Sequence, residues 1–522
     1  MNYKTGFAVF FLFLSFYVFF SIGHFGGDGY EDYLTAESIV LGQGTAFIEK
    51  PDGKNALGYK VNAGIVGNDG KRYSSRAGIG VPALITPFYA FGHFAARFLV
   101  NIPHDFITMM AVSFFNPTVS TFNALLIFLI SLRLGHGRSG AVAISLVYGL
   151  CTMAPVYSRT GFSEPTLILF LLTSALCILM YKDGQKLRFL FLAALAGACA
   201  MFARQQSFIY IPFFTLYGLW VICDSPLDRK SKYIAAVSFF LSLAVSSTLA
   251  FAYYKGYSDL FPGGTAYSVT DMKGHLLRGQ HLVKGLFYYL VSPGKGFLYY
   301  NIPLALSIFA VRDIFRKKDK EMIFYLMFFL GVLFFYSNHF RRGSLFSWGP
   351  RYLLIAVPFM ALVLGGYLSR SKGLAARILI TLFSMAGFLA MAPCMLINQS
   401  KFYFFVKERL GQEEYLINFV PDLSPISGAW KMFMARVSYL LSGRDVPFMY
   451  DPDYWFAKPI IASMKDYNAF DAWSIKVLHF APEYSYLVYV ITGALAAIFL
   501  VSAFFVVIFC LTDRNAGKTL ER

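Results

Sequence analysis

Runs of about 20 apolar residues recur from one end of this chain to the other, the length a helix needs to cross the hydrocarbon core of a bilayer. They fall at about 6–23, 107–132, 140–156, 165–181, 189–203, 208–223, 233–254, 296–311, 322–336, 352–368, 378–397 and 488–511, which predicts twelve spans. Hydrophobic residues make up 57% of the 522 and charged ones 14%, against roughly 45–50% and 25% in a soluble domain. A soluble enzyme is excluded. The formal charge of +17 does not point to nucleic acid either, because long apolar runs separate the basic residues that such a partner would need on one wet surface. The fold expected is an all-α polytopic membrane protein.

One further run, Gly78–Leu99, is also apolar, and the distribution of charge decides how to read it. With the amino terminus in the cytoplasm, the short loops 133–139, 182–188, 224–232, 312–321 and 369–377 lie inside with both termini. Together they hold 20 Lys+Arg and 8 Asp+Glu, while the opposite face carries 26 and 21 in much longer segments. Counting Gly78–Leu99 as a span would move Arg312–Lys320 (RDIFRKKDK) to the far side. That run is therefore read as a helix lying in the outer interface. Both termini are expected in the cytoplasm of a bacterial-type inner membrane. The stretch SIGHFGGDG after the first run offers no A-x-A-like cleavage site, so that run is read as retained. Cys151, Cys177, Cys199, Cys223, Cys394 and Cys510 lie in or beside apolar runs without a CxxC, which implies neither a disulfide nor a zinc framework.

Three outer segments are long: 24–106, 255–295 and 398–487. The division expected is a catalytic transmembrane module over 1–397 with interfacial helices in its first outer loop, a small periplasmic cap over 398–487, and a last span with a cytoplasmic tail over 488–522. Scaffold helices rarely need such loops, and catalytic groups are disproportionately carried on them.

Directly after the first span, Asp28, Glu31, Asp32 and Glu37 fall within ten residues, on a stretch that suits a short helix from about Tyr30 to Leu41. By themselves they read as an acidic cap on a helix amino terminus. Glu164, in SRTGFSEP, stands at the outer end of the third and fourth spans, and alone it reads as a cap for the helix that Pro165 opens. Basic residues gather at the same level. Arg204 lies between two closely spaced spans, Lys295 precedes the eighth, and His339, Arg341, Arg342 and Arg351 lie in SNHFRRGSLFSWGPRYL before the tenth. Lipid headgroups are one use for such a cluster, but Gly343, Trp348, Gly349 and Pro350 suggest a shaped loop.

Outer-face carboxylates and outer-face cations together suit one reaction class. When a sugar leaves a lipid phosphate, the phosphate departs without needing a proton, so cations can supply the stabilisation of the leaving group. The acceptor hydroxyl needs a carboxylate to take its proton. Glycoside hydrolysis differs, because its alkoxide leaving group needs a second, acidic carboxyl.

At these residues the sequence resembles the GT-C superfamily of membrane glycosyltransferases that use polyprenyl-phosphate sugars, a group that includes protein O-mannosyltransferases and lipid A aminoarabinose transferases. The resemblance is of motif order over roughly residues 1–370. Asp28 matches the first acidic position, with Gly29 where a second acid often follows; Glu31 and Asp32 come slightly later. Lys71–Arg76 and the following PALITPFYAFG look like the second interfacial helix and its lead-in. Ser163-Glu164-Pro165 stands at the second acidic motif, Arg204 at a basic position, and Ser347–Tyr352 at a loop common in bacterial relatives.

The resemblance implies an inverting glycosyltransferase that moves a sugar from a polyprenyl-phosphate donor to a hydroxyl of a glycan, glycolipid or protein of the cell envelope. Asp28 is the first choice for the base, with Glu31 and Asp32 as alternatives, and Glu164 orients the acceptor or the base. Arg204, Lys295 and Arg351 hold the donor phosphate, with Arg341 and Arg342 as alternates. Tyr73, Arg76, Trp348 and His339 line the sugar or acceptor pocket. No cofactor is expected, although three nearby carboxylates could hold Mg²⁺ or Mn²⁺. The rival reading is a transporter or flippase for a lipid-linked saccharide, weakened by the few ionisable residues inside the spans. A third is a non-catalytic GT-C-like partner, suggested by Gly29.

Overall fold

The computed structural model describes residues 3–24, 28–48, 64–75, 78–99, 101–261, 282–338, 347–370, 373–397, 402–403, 406–407, 410, 413–444, 449–450, 459–460 and 470–520, with the side chain of Asp28 outside that description. The first span is α1 (Tyr3–Phe19), and the carboxylate stretch that follows is α2 (Asp28–Val40). A two-residue ribbon, β1 (Ile65–Val66) with β2 (Arg72–Tyr73), leads to α3 (Gly80–Ala95). This is the helix expected within Gly78–Leu99.

Next come α4 (His104–Ser113), α5 (Phe115–Arg133), α6 (Arg138–Cys151), the single turn α7 (Ala154–Ser158), α8 (Glu164–Gly184) and α9 (Leu187–Ala203). After Arg204 and a 3₁₀ turn follow α10 (Ile211–Asp224), α11 (Arg229–Ser258) and α12 (Leu282–Val291). The chain continues through α13 (Phe297–Tyr300), α14 (Ile308–Lys317), α15 (Lys320–Asn338), α16 (Val357–Arg370) and α17 (Leu374–Met391). Last are α18 (Glu413–Phe419), α19 (Pro425–Ser442), the ribbon of β3 (Met449–Tyr450) with β4 (Pro459–Ile460), α20 (Trp473–Phe480) and α21 (Ser485–Leu520).

Eight described helices are long and apolar enough to cross a membrane, and four shorter apolar helices accompany them. Eleven of these twelve coincide with runs read from the sequence. The run at 296–311 is corrected: it is broken into α13, a 3₁₀ turn over Ile302–Ser307, and α14. The reason is local. Asn301 leaves helical geometry (φ −141°, ψ 50°), and Pro303 cannot donate a backbone hydrogen bond to the turn before it. The twelfth apolar helix, α12, falls inside what the sequence suggested was the outer segment 255–295.

The outsides of α11 and α21 fit hydrocarbon rather than water. Phe240 and Leu249 are 59% exposed, and Leu500 and Phe504 are 66% and 62% exposed, a contiguous apolar surface of the kind that faces lipid. Inside, one large apolar core joins α1, α5, α6 and α8 through α17. A second, smaller core packs α2 through Tyr33 and Leu34 against Ile85 and Tyr89 of α3, Met109 and Val112 of α4, and Ala203 at the end of α9. A third gathers Ile397, Tyr403, Ile417, Leu423 and Met432, so the segment expected as a cap has a core of its own that begins at Ile397.

Candidate active site

Glu164 opens α8 and is fully buried. The loop before it is fastened to α5 by two buried asparagines: Asn116 donates to the carbonyls of Thr160 and Phe162, and Asn123 to that of Pro165. Two guanidiniums converge on Glu164 Oε1. Arg351 Nε donates to it at 2.6 Å, and Arg204 Nη1 donates to the same oxygen. Glu164 Oε2 is buried with no hydrogen-bond partner among the described residues.

Each arginine is held by its own surroundings. Arg204 sits in extended backbone where α9 stops (φ −158°, ψ 126°), and its side chain also reaches Gln206 and Ser163 Oγ, the latter at 3.3 Å. Arg351 lies 3.8 Å over the Phe162 ring, a face that attracts a planar cation. Burial disfavours the charge on Arg204, but the Glu164 carboxylate outweighs it and holds the guanidinium firmly protonated.

The loop that carries Arg351 is shaped from inside. Gly349 takes φ +53°, and a Cβ there would meet the Tyr300 ring at 2.6 Å, so only glycine fits. Trp348 is 1% exposed; its carbonyl accepts from the Tyr157 hydroxyl at 2.6 Å and its indole N–H points at Met391 Sδ, 3.3 Å away. The ring expected to line a sugar pocket is thus packed within the loop. Ser347 O accepts from both Lys295 Nζ (2.6 Å) and the Tyr403 hydroxyl (2.7 Å). Burial pushes Lys295 down to about 7, and the charge of Arg351 pushes the same way. Around one carboxylate there are therefore two fixed guanidiniums, with an amine beside them whose proton is easily lost.

Of the α2 carboxylates, Asp32 interacts electrostatically with this cluster, with Arg204, Glu164 and Arg351. Gly29 lies so close to Gly161 that a Cβ would meet its Cα at 2.6 Å, which brings the Asp28 end of α2 against the loop leading to Glu164. The glycine that interrupts the expected acidic pair is what permits this approach. Burial, then the neighbouring Glu31, raises Asp32 well above the usual carboxylate range, while Arg204 and Arg351 only partly oppose the shift. Asp32 is itself buried, 3% exposed. Glu31 accepts from Ser74 Oγ (2.9 Å), Ser75 N and Oγ (both 2.7 Å) and Gly64 N (3.2 Å). It ties the first outer loop down.

The remaining expectations divide. Tyr73 donates to Asp69 at 2.6 Å and packs beside Tyr257 and Phe261, in a satellite cluster joined to α2 through Ser74 and Glu31. The backbone and side chains of Arg76, His339, Arg341 and Arg342 lie outside the described residues, as does the side chain of Asp28. Among the described residues, no three His, Cys, Asp or Glu side chains gather as metal ligands would.

A second polar cluster, which the sequence did not single out, lies beside α2. Buried Arg159 donates to the carbonyls of Cys394 (2.5 Å) and Asp471. The Asp471 carboxylate pairs with Lys476, whose ammonium also reaches Ile22 O at 2.5 Å and the ring of His24. Burial and Lys476 push His24 down to about 4. Burial would raise Asp471, yet Lys476, His24 and Arg159 together hold it below the usual range. Only the separation of Arg159 from Asp471, more than 300 positions apart in the chain, kept this group out of sight.

The sequence matches no protein-family model, and it matches no curated protein. Among solved structures it is similar to ArnT from Cupriavidus metallidurans in the apo state, at 11% identity over 98% of this chain and 78% of that one, with a TM-score of 0.43. It is also similar to ArnT from Cupriavidus metallidurans bound to undecaprenyl phosphate, at 11% identity over 85% and 81%, with a TM-score of 0.44. Likeness this distant fixes neither fold family nor chemistry.

Proposed function

We propose that this protein is an inverting glycosyltransferase of the bacterial inner membrane, moving a sugar from a polyprenyl-phosphate carrier to a hydroxyl of a cell-envelope acceptor at the periplasmic face. The observation that carries the reading is the Glu164–Arg204–Arg351 group: one buried carboxylate sets two guanidiniums, leaving net positive charge at the end of the bundle where a lipid-borne phosphate would lie.

In the reaction the acceptor oxygen attacks the anomeric carbon from the face opposite the phosphate. The bond from that carbon to the phosphate oxygen breaks, and its electron pair stays with the phosphate. Arg204 and Arg351 stabilise the charge that develops there, each able to present a fork of N–H donors, and Lys295 regains its proton beside the anion. The hydroxyl proton passes to a carboxylate of α2. Glu31 is committed to the loop, and Asp28, at the end of α2 that Gly29 brings against Gly161, is the base we assign. Glu164 Oε2, open and buried, accepts a hydrogen bond from a sugar or acceptor hydroxyl.

The test is a reconstituted transfer assay with lipid-linked sugar. Asp28→Asn should lower turnover by about 10²–10⁴-fold, the range for loss of a general base. A variant that turned over at the wild-type rate would remove Asp28 from the mechanism. Movement of lipid-linked sugar across the bilayer with its linkage intact would replace transfer with transport.

A further inference from the structure

An apolar cavity of about 680 Å³ lies on the far side of α3 from the carboxylates, within the roughly 300–1,000 Å³ typical of ligand sites. The two faces of α3 do different things. Ile85 and Tyr89 pack toward α2, whereas Phe88, Phe91 and Ala95 line the cavity together with Met110 of α4 and Val477 of α20. The remaining walls include Val18 near the end of α1 and Val488 in the first turn of α21. Both stand near the ends of helices apolar enough for a membrane, and the cavity's lining includes no charged residue.

One end is polar. Trp473 and Val477 line the cavity, and between them Lys476 reaches His24 and the Ile22 carbonyl. His24 stands four residues before Asp28, within roughly 14 Å of extended chain. The cationic group around Arg204 and Arg351 is built from other elements, the ends of α8 and α9 and the loop before α16, so it and the cavity are separate, with α3 between the cavity and α2.

Resting on the proposed glycosyl transfer, we infer that this cavity holds the hydrocarbon chain of the acceptor, which is therefore a membrane lipid with a hydroxylated headgroup, presented to Asp28 from the side opposite the donor. Walls this apolar accept a hydrocarbon chain, and they include residues of helices apolar enough to lie in a membrane that would supply one. The polar end then places a headgroup near the first outer loop.

The experiment uses the full-length protein in dioleoylphosphatidylcholine vesicles containing a trace of either of two photoactivatable probes: a glycosyl diacylglycerol with a diazirine in its acyl chain, or a polyprenyl phosphate with a diazirine in its isoprenoid chain. The glycolipid is expected to label Phe91, Met110 and Val477. Ala95→Trp and Met110→Trp should reduce that labelling about tenfold, as when about two methylenes lose their place, while Phe94→Trp, on the exposed side of α3, should not. Labelling of the same residues by the polyprenyl probe would give the cavity to the donor and overturn the inference. So would glycolipid labelling unchanged by both filling variants, or none in the wild type. Binding is read without turnover, so a protein that labels as expected but transfers no sugar would sink the transferase reading and leave the lipid site standing.

Discussion

Two ionic clusters fasten the same end of the bundle, and they use charge differently. Around Glu164, both guanidiniums share one carboxylate oxygen and the other oxygen is open. Around Asp471, Arg159 is committed to two backbone carbonyls and Lys476 to a carbonyl, a ring and the carboxylate. The first has cationic donors gathered on one acceptor in a buried setting, where an anion would be stabilised strongly. The second has most of its donors on backbone carbonyls, although Arg159 Nε is buried without a partner among the described residues. The clusters thus differ in what their cations meet: a carboxylate and other side chains in the first, chiefly backbone carbonyls in the second.

That contrast can be broken by experiment. The largest effect should come from Arg351→Ala or Arg204→Ala, which should lower kcat/KM for lipid-linked sugar by about 10²–10³-fold. Arg351→Lys should recover only part, since an ammonium lacks the planar fork. Transfer within a few-fold of wild type in either alanine variant would erase the distinction between the clusters.

Glu164→Gln should come next, because it leaves two buried guanidiniums without their counter-charge. Breaking such a pair costs about 3–5 kcal/mol, read as a lower Tm in detergent. A polyprenyl phosphate that restored much of this Tm would show the anion replacing the carboxylate.

A smaller effect belongs to pH. Lys295 titrates near 7 when folded, so it is charged below that value and neutral above it. Binding of polyprenyl phosphate should weaken as pH rises through about 7, and Lys295→Arg should flatten the profile. In the ligand-free protein the sign for stability is the reverse. Between about 7 and the usual lysine value the unfolded chain holds the proton that the folded one lacks, so stability rises with pH across that window. A profile with no inflection near 7 would remove Lys295 from phosphate binding.

The least effect on chemistry should come from Arg159→Met. It frees two buried carbonyls, at a cost of about 1–3 kcal/mol each in stability, while KM for the donor stays near the wild-type value. A large rise in KM with Tm unchanged would mean the second cluster is a site as well.

Much of the candidate site was legible because its residues break a pattern. Glu164, Arg204, Lys295 and Arg351 interrupt apolar runs or stand at their ends, and a charge at that level needs a partner or a use. The convergence of Arg204 and Arg351 on one Glu164 oxygen was not legible, since it depends on how α8, α9 and the loop before α16 pack. Gly29 shows the other limit: as a letter it reads as a missing acid, and only its approach to Gly161 reveals a backbone contact that any side chain would block. For Trp348 and Glu31, only the tertiary structure shows the hydrogen bonds they make to the loops around them.

The sequence by itself determined that this chain is a bundle of apolar helices, because the length and spacing of apolar runs are local properties and the bilayer imposes them directly. Composition likewise settled that its charges lie in loops and at span ends. Which of those charges meet was decided by tertiary structure alone. Contacts between Glu164 and Arg351, or Arg159 and Asp471, cross nearly 200 and more than 300 positions of chain. No local periodicity encodes such distances; the packing of helices between them does.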